Sequence, residues 1–390
     1  MIDIDEVRAD TPAAANQAFL NSAGASLMPH PVLQVQRDYL DVEAAIGGYA
    51  AADRHAQALD AVYGSVARLI RAAPDEIALM ESATAAWKMA FYSLALQPGD
   101  VVLSCEAEYA ANYVGLLHVA QTRGIQIEVV PSDPISGEVD VRALQSMIDR
   151  RVKLISLTWV PTNGGLVNPA AEVGRVARGH GIPYLLDACQ AVGQLPVDVE
   201  SLGCDMLTAT GRKFLRGPRG TGFLYMRRAF MAGVEPHTLD HSAASWESPA
   251  SYRLREDARR FESWEAACGA RLGLGAAVDY ALVLGLPAIA SRNADLASLL
   301  RAGLSQIPGV RVHDLGRTLC AIVSFSVEHR DAGDIARAAR AAAIAVSVSA
   351  PASTLLDARR RALPPLVRAS PHYFNTEDDV ARMIAFVRAL

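Results

Sequence analysis

The chain has 390 residues, 51% of them hydrophobic and 20% charged, with a formal net charge of −5. That length exceeds what one core usually takes, so two domains are expected, and the mild acidity leaves no electrostatic footprint for nucleic acid. Five scattered cysteines, never spaced C-x-x-C, predict neither a disulfide framework nor a zinc site and fit a reducing cytoplasm.

The first ten residues are acidic and lack the apolar core of a signal peptide. The longest apolar candidate, 276–290, is interrupted by Asp279 and Pro287 and falls short of the ~18 residues of a membrane helix, so no membrane span is expected. From about residue 77 to 226, short apolar runs alternate with helical patterns. Strands are predicted at 101–104, 125–130, 154–158, 183–187 and 206–209, and helices at 110–123, 139–150 and 169–180. Alternation of this kind implies a mostly parallel sheet with helices on both faces. A further strand, 223–226, follows a glycine-rich turn. Residues 228–262 show no clear period and read as a loop-rich crossing region. A long helix is predicted at 265–284. Helix 288–306, strands 310–313 and 320–326, helix 331–343, strand 345–349 and a helix from 376 then make a second, α+β unit.

In a parallel sheet, ligands bind at the carboxyl ends of the strands. Asp187 closes the apolar run Tyr-Leu-Leu-Asp, and Thr210 ends the next strand, so the two share a rim. Lys213 follows in the turn Thr-Gly-Arg-Lys-Phe, beside Arg212. Only three lysines occur in the chain (Lys88, Lys153, Lys213) among many arginines. Alone, Lys213 reads as a surface group and Asp187 as a cap or ion-pair partner. Together they match the needs of pyridoxal phosphate (PLP). An aldehyde requires an amine, which a guanidinium cannot replace, and a pyridine nitrogen requires an anion to stay protonated. A buried carboxylate is in turn costly unless paired.

The phosphate of such a cofactor needs donors. Glu81-Ser82-Ala83-Thr84-Ala85 precedes the helical run 86–96, and free amides at a helix start bind anions. The alternative is a plain Ser/Thr cap. The glycine-rich stretch 217–222 leads into a strand, not a helix, so it does not read as a nucleotide loop. No H-E-x-x-H or G-x-S-x-G pattern or paired Cys/His cluster appears, and no metal is expected.

These residues and their flanks, over about 18–388, resemble the class V aminotransferase and cysteine desulfurase family of PLP enzymes. The stretch Thr-Gly-Arg-Lys-Phe-Leu-Arg-Gly-Pro-Arg-Gly-Thr-Gly is closest to the hercynylcysteine sulfoxide lyase-like branch. The resemblance implies fold type I: a mostly parallel seven-stranded sheet with helices on both faces, plus a smaller α+β C-terminal domain. Residues 1–20 would lie near the active site, 21–262 form the large domain and 263–390 the small one. It also implies roles. Lys213 carries the Schiff base and Asp187 pairs the ring nitrogen. Gln190 reaches the ring's phenolic oxygen, and Tyr109 stacks on the ring where the family usually has histidine. Ala83, Thr84, Thr210 and Arg212 hold the phosphate. Thr162 or Asn163 touches the cofactor or substrate. Arg368, in an Arg-x-Ser element, clamps the substrate carboxylate, with Asn21 and Ala23 nearby. A homodimer with active sites at the subunit interface is implied, although the family's Gly-Thr phosphate donor from the second subunit is replaced by Ser263-Trp264.

The reaction is less legible. Desulfurases of the family use a cysteine on a small-domain loop before the Arg-x-Ser element, and 347–367 contains none. That points to a C–S lyase acting by β-elimination on a cysteine-derived amino acid. Transamination is the alternative, then epimerisation, which needs a second base on the ring's opposite face. A PLP-binding protein without turnover is the remaining reading.

Overall fold

A computed structural model describes residues 2–390. Seven strands form the main sheet: β1 (Ile77–Met80), β2 (Val101–Cys105), β3 (Gln126–Val130), β4 (Val152–Thr158), β5 (Tyr184–Asp187), β6 (Met206–Thr210) and β7 (Gly222–Met226). Their spatial order is β1-β7-β6-β5-β4-β2-β3. β7 runs antiparallel to both neighbours, and every other pair is parallel. This is the mostly parallel, helix-covered sheet that the alternating pattern predicts.

The central strands read as continuous apolar runs because both faces are covered. Successive side chains go to opposite sides. Val102, Leu154, Leu185 and Leu224 pack with Trp87, Phe91 and Leu116 on one face. Leu103, Leu186, Leu207 and Phe223 pack with Val66, Ile70 and Val173 on the other. Helices Ala83–Tyr92 and Ala110–Arg123 cover the first face, and helices Ala56–Ile70 and Ala170–His180 the second.

A second sheet is built from β8 (Val310–Val312), β9 (Val323–Val327), β10 (Ser347–Ser349) and β11 (Leu366–Ala369). Its order is β8-β9-β11-β10, all antiparallel. Helices Leu286–Ser305, Ala332–Ala341 and Glu377–Arg388 accompany it. The N-terminal segment joins this half of the molecule. Ala18–Phe19 pairs in parallel with Ile344–Ala345, and Arg8 donates to the Phe374 carbonyl and Asp379.

Several boundaries differ from the sequence reading. The helix expected at 139–150 is only Val141–Ser146, because Asp140 caps it and Val139 is bridged to Ser132. The strand expected at 345–349 divides between two partners, Ile344–Ala345 with the N-terminal segment and β10 with β11. The region 228–262 is not all loop: it holds the helix Arg228–Met231 and a hairpin, Ala244–Ser248 with Ser251–Leu254. Helices His30–Ile46, Gly48–Arg54 and Ala56–Ile70 were not anticipated. Among the described residues no single helix is long and apolar enough to cross a membrane. The apolar stretch around 268–305 is two helices bent by 81° at Gly285, whose φ of +84° few other residues adopt.

Candidate active site

The sheet aligns polar residues at its carboxyl edge. In register, Thr158 of β4 lies beside Asp187 of β5, and Asp187 beside Thr208 of β6. Alternation puts all three on the face that otherwise carries Leu154, Leu185 and Met206. The polar row therefore replaces apolar core just where the strands end.

Asp187 is 6% exposed. Its Oδ2 accepts from Asn112 Nδ2 at 2.8 Å and its Oδ1 from the Cys189 amide at 2.8 Å. No arginine, lysine or histidine lies within ion-pair distance of it among the described residues. Burial pushes its carboxyl up; the two hydrogen bonds and the Lys213 charge pull it back.

Lys213 follows β6 and is 8% exposed. Its charge reaches both Asp187 and the Cys189 thiol. Gly193 makes this possible. It has φ of +90°, and a Cβ there would sit 2.4 Å from the Phe214 carbonyl carbon. Only glycine lets the loop after Asp187 close on the turn that holds Lys213. Gly222 does the same on the other side. A Cβ there would lie 2.5 Å from the Ala209 carbonyl oxygen and 3.0 Å from the Ala83 nitrogen. The start of helix Ala83–Tyr92 is thus seated against the end of β6. Ser82 caps that helix by accepting from Ala85 N at 3.1 Å. The first-turn amides of Ala83 and Thr84 lack an intrahelical acceptor, as at any helix start, and Thr210 stands across from them with its hydroxyl on the Thr221 carbonyl at 3.2 Å.

Gln190 is buried. Its Nε2 donates to the Ala23 carbonyl at 3.1 Å and to Thr162 Oγ1 at 3.3 Å, while its Oε1 has no partner. Asn21 Oδ1 is likewise buried without a partner. Arg368, on β11, donates from Nη1 to the Thr162 carbonyl at 3.0 Å and to its hydroxyl at 2.5 Å, and from Nε to Ser347 Oγ at 3.2 Å. It has no acidic partner within 4 Å among the described residues. Burial and the charge of Arg212 lower it to about 10, and the Tyr109 phenol acts in the opposite direction. Tyr109 stands half-buried at the start of helix Ala110–Arg123.

The structure therefore gathers Asp187, Lys213, Gln190, Ala23, Thr162, Tyr109 and Arg368 around one site, with Ala83, Thr84 and Thr210 on its flank. Two expected residues bond outward from this cluster, although the charge of Arg212 still reaches Arg368 and the Cys189 thiol. Asn163 Nδ2 donates to Asp357 Oδ2 at 2.8 Å, which leaves Thr162 as the residue of that pair facing Gln190 and Arg368. Arg212 Nη1 is bonded to the Gly24 carbonyl, on the segment that closes over the site. Ser263 and Trp264 are on the periphery, with Trp264 56% exposed and its ring against His241. The sequence reading missed Glu108, Asn112 and Thr158, which sit behind Asp187. Their signal was a polar residue wherever a strand end faces the two covering helices.

The residues present fit PLP. A buried carboxylate lacks a cation, a buried guanidinium lacks an anion, and a glutamine and an asparagine each keep a free buried oxygen. A protonated pyridine answers the first of these, and an amino-acid carboxylate the second.

Comparison with known proteins gives the same assignment. Residues 18–383 match the family model Aminotransferase class-V. The chain is 31% identical over 401 residues to the cysteine desulfurase of Serratia proteamaculans, covering 98% of this chain and 97% of that one. The cysteine desulfurase of Thermococcus onnurineus superposes with a TM-score of 0.93 at 23% identity, covering 100% of this chain and 98% of that chain. The cystine C–S lyase C-DES, solved with cysteine persulfide, gives 0.88 at 22% identity, over 97% and 99% of the two chains.

Proposed function

The chain belongs to the class V aminotransferase family of PLP-dependent enzymes, and from that premise we propose that it is a C–S lyase that cleaves a cysteine-derived amino acid by β-elimination. One observation carries the choice of reaction. The segment between β10 and the end of β11, where the family's desulfurases hold their sulfur-accepting cysteine, has no thiol. It runs through β10, the turn Pro351–Thr354 and the helix Leu355–Arg360. Of the five cysteines, Cys105, Cys204 and Cys320 are buried in core. Cys189 is beside Lys213, and burial pushes its thiol up, which keeps it protonated and poorly nucleophilic.

The residues have the following tasks. PLP, when bound, supplies an aldehyde for an amine and a protonated ring that accepts the electron pair of the substrate α-carbon. Lys213 Nζ would hold the cofactor's aldehyde and, as a free amine, would take the α-proton of the substrate. Asp187 holds the ring nitrogen's proton. Arg368 binds the substrate carboxylate with its two-pronged fork and is itself oriented by Thr162 and Ser347. Ala83, Thr84 and Thr210 bind the phosphate. Loss of the sulfur substituent as a thiol, followed by hydrolysis of the remaining enamino acid by one water, gives pyruvate and ammonia. The enzyme works as a homodimer. Support for this comes from the exposed Tyr49, Trp246, Tyr252 and Trp264, with Trp246 81% exposed on the hairpin.

The test is incubation of purified enzyme with S-substituted cysteines and no keto acid. Thiol, pyruvate and ammonia in equal amounts are expected. Strict dependence on a keto acid would instead make it a transaminase. Alanine formed from cysteine, with sulfur left on the protein, would make it a desulfurase.

A further inference from the structure

Behind Asp187 lies a second carboxylate with no cation. Glu108 is 3% exposed, and no lysine, arginine or histidine pairs with it among the described residues. Its Oε1 accepts from the Tyr109 amide at 2.8 Å, from Asn112 Nδ2 at 3.0 Å and from Thr158 Oγ1; its Oε2 accepts from Ser104 Oγ at 3.2 Å. Asn112 bridges the two acids. The same Nδ2 donates one hydrogen to Glu108 and the other to Asp187 Oδ2 at 2.8 Å. The amide cannot turn over, because its oxygen would then face two carboxylates.

We propose that Glu108 is a positioning residue for the cofactor: through the Asn112 amide it fixes the Asp187 carboxylate and adds a second negative charge behind it. Asn112 is bonded to Asp187, and Glu108 is bonded to Asn112. The two act by holding Asp187 at one angle and by strengthening its hold on a proton at the ring nitrogen. The other titratable groups facing Glu108 are Asp187 and the Cys105 thiol. Burial and the Asp187 charge push Glu108 up, and the donors Thr158, Asn112 and Tyr109 favour its ionised form, which leaves the group at about 7. A cation on the far side of Asp187 cancels part of that opposition, so cofactor binding and ionisation of Glu108 favour each other. The inference rests on the family's cofactor and not on the lyase reading.

The alternative is a brace that only ties the strand ends to the helix start. Glu108→Gln separates the two roles. Glutamine keeps the acceptor oxygen for Tyr109, Asn112 and Thr158, can donate to Ser104, and removes the charge. The readout is the ring-nitrogen resonance of enzyme loaded with ¹⁵N-labelled PLP, followed against pH, together with the dissociation constant for PLP. In E108Q the nitrogen should lose its proton at lower pH than in wild type, and PLP should bind about tenfold more weakly at pH 8, since removing one buried charge two hydrogen bonds away is worth on the order of a factor of ten. Asn112→Ala, which cuts the bridge and leaves Glu108 in place, should move both readouts the same way. A nitrogen titration and PLP affinity equal to wild type in whichever variant folds would overturn the proposal and leave Glu108 a brace.

Discussion

Arg368 and Thr162 meet across the junction of the two sheets, the guanidinium donating to both the carbonyl and the hydroxyl of the threonine. One side of the arginine fork is thereby fixed, and the charge itself is left without an anion. Hydrogen bonds to a charged group contribute about 1.5–3 kcal/mol. Arg368→Ala should therefore raise KM for amino-acid substrates roughly ten- to a hundredfold and leave the cofactor absorbance unchanged. The lowered guanidinium adds a pH signature. Its charge is complete well below about 10 and is lost as pH rises through that value. Propionate, a carboxylate with no group of its own titrating there, should inhibit competitively and lose affinity above pH 10. An inhibition constant flat to pH 11 would remove Arg368 from the carboxylate site.

Lys213 is the lysine whose charge reaches Asp187, whereas Lys88 and Lys153 are exposed. Borohydride reduction of the yellow enzyme should fix one phosphopyridoxyl group, on the peptide that carries Lys213. Lys213→Ala should still bind PLP, through Asp187 and the phosphate donors, but lose the visible band of the lysine-bound cofactor. Its turnover should drop by at least ~10²–10⁴, the usual contribution of a positioned acid–base group. Label on another lysine, or normal turnover in the variant, would refute the assignment.

The parallel sheet was legible because buried strands are apolar on both faces and the helices between them keep a clear period. Lys213 and Asp187 were legible because each breaks a local rule, a lysine in a chain that prefers arginine and a charge at the end of an apolar run. The helix His30–Ile46 was not, since it buries only Val32 and Tyr39 and leaves Leu40 and Ile46 exposed, which blurs its apolar stripe. The hairpin 244–254 was missed because nearly all of it is exposed and shows no inside–outside alternation. Glu108 and Asn112 are four apart at a helix start and form no motif of their own. Their meaning depends on the register that sets Thr158 beside Asp187. Arg212 is assigned to the phosphate by the family resemblance, and its bond to the Gly24 carbonyl follows from how the N-terminal segment crosses the site, which local sequence does not specify.

Cys189 separates the lyase from a desulfurase. Its backbone amide orients Asp187, and its thiol is held protonated by burial. Cys189→Ala keeps the amide and removes the thiol. It should retain turnover within about threefold, because a substitution that keeps the local bonds of a partly buried small side chain usually has modest effects. A loss of a hundredfold or more, with persulfide detectable on Cys189 of the wild type, would assign it as a sulfur acceptor and replace the elimination mechanism.

The Glu108–Asp187 pair also predicts a conflict between stability and function. Glu108 ionises at about 7 in the folded protein, against an ordinary 4.5. The folded state therefore binds this proton more tightly than the unfolded one. Its favourable contribution is complete below pH 4.5, declines as pH rises through 7, and is absent above that. A difference of this size corresponds to a few kcal/mol. Cofactor-free Glu108→Gln escapes the decline, so its Tm should exceed that of cofactor-free wild type at pH 8 and approach it near pH 4. The same substitution weakens PLP binding in the test described above, so the advantage should shrink or reverse when the cofactor is present. Thermal melts of both proteins, with and without PLP at the two pH values, check this. A cofactor-free variant less stable than wild type at pH 8 would mean that Glu108 is held as a fully favourable anion and that its charge stores no tension with Asp187.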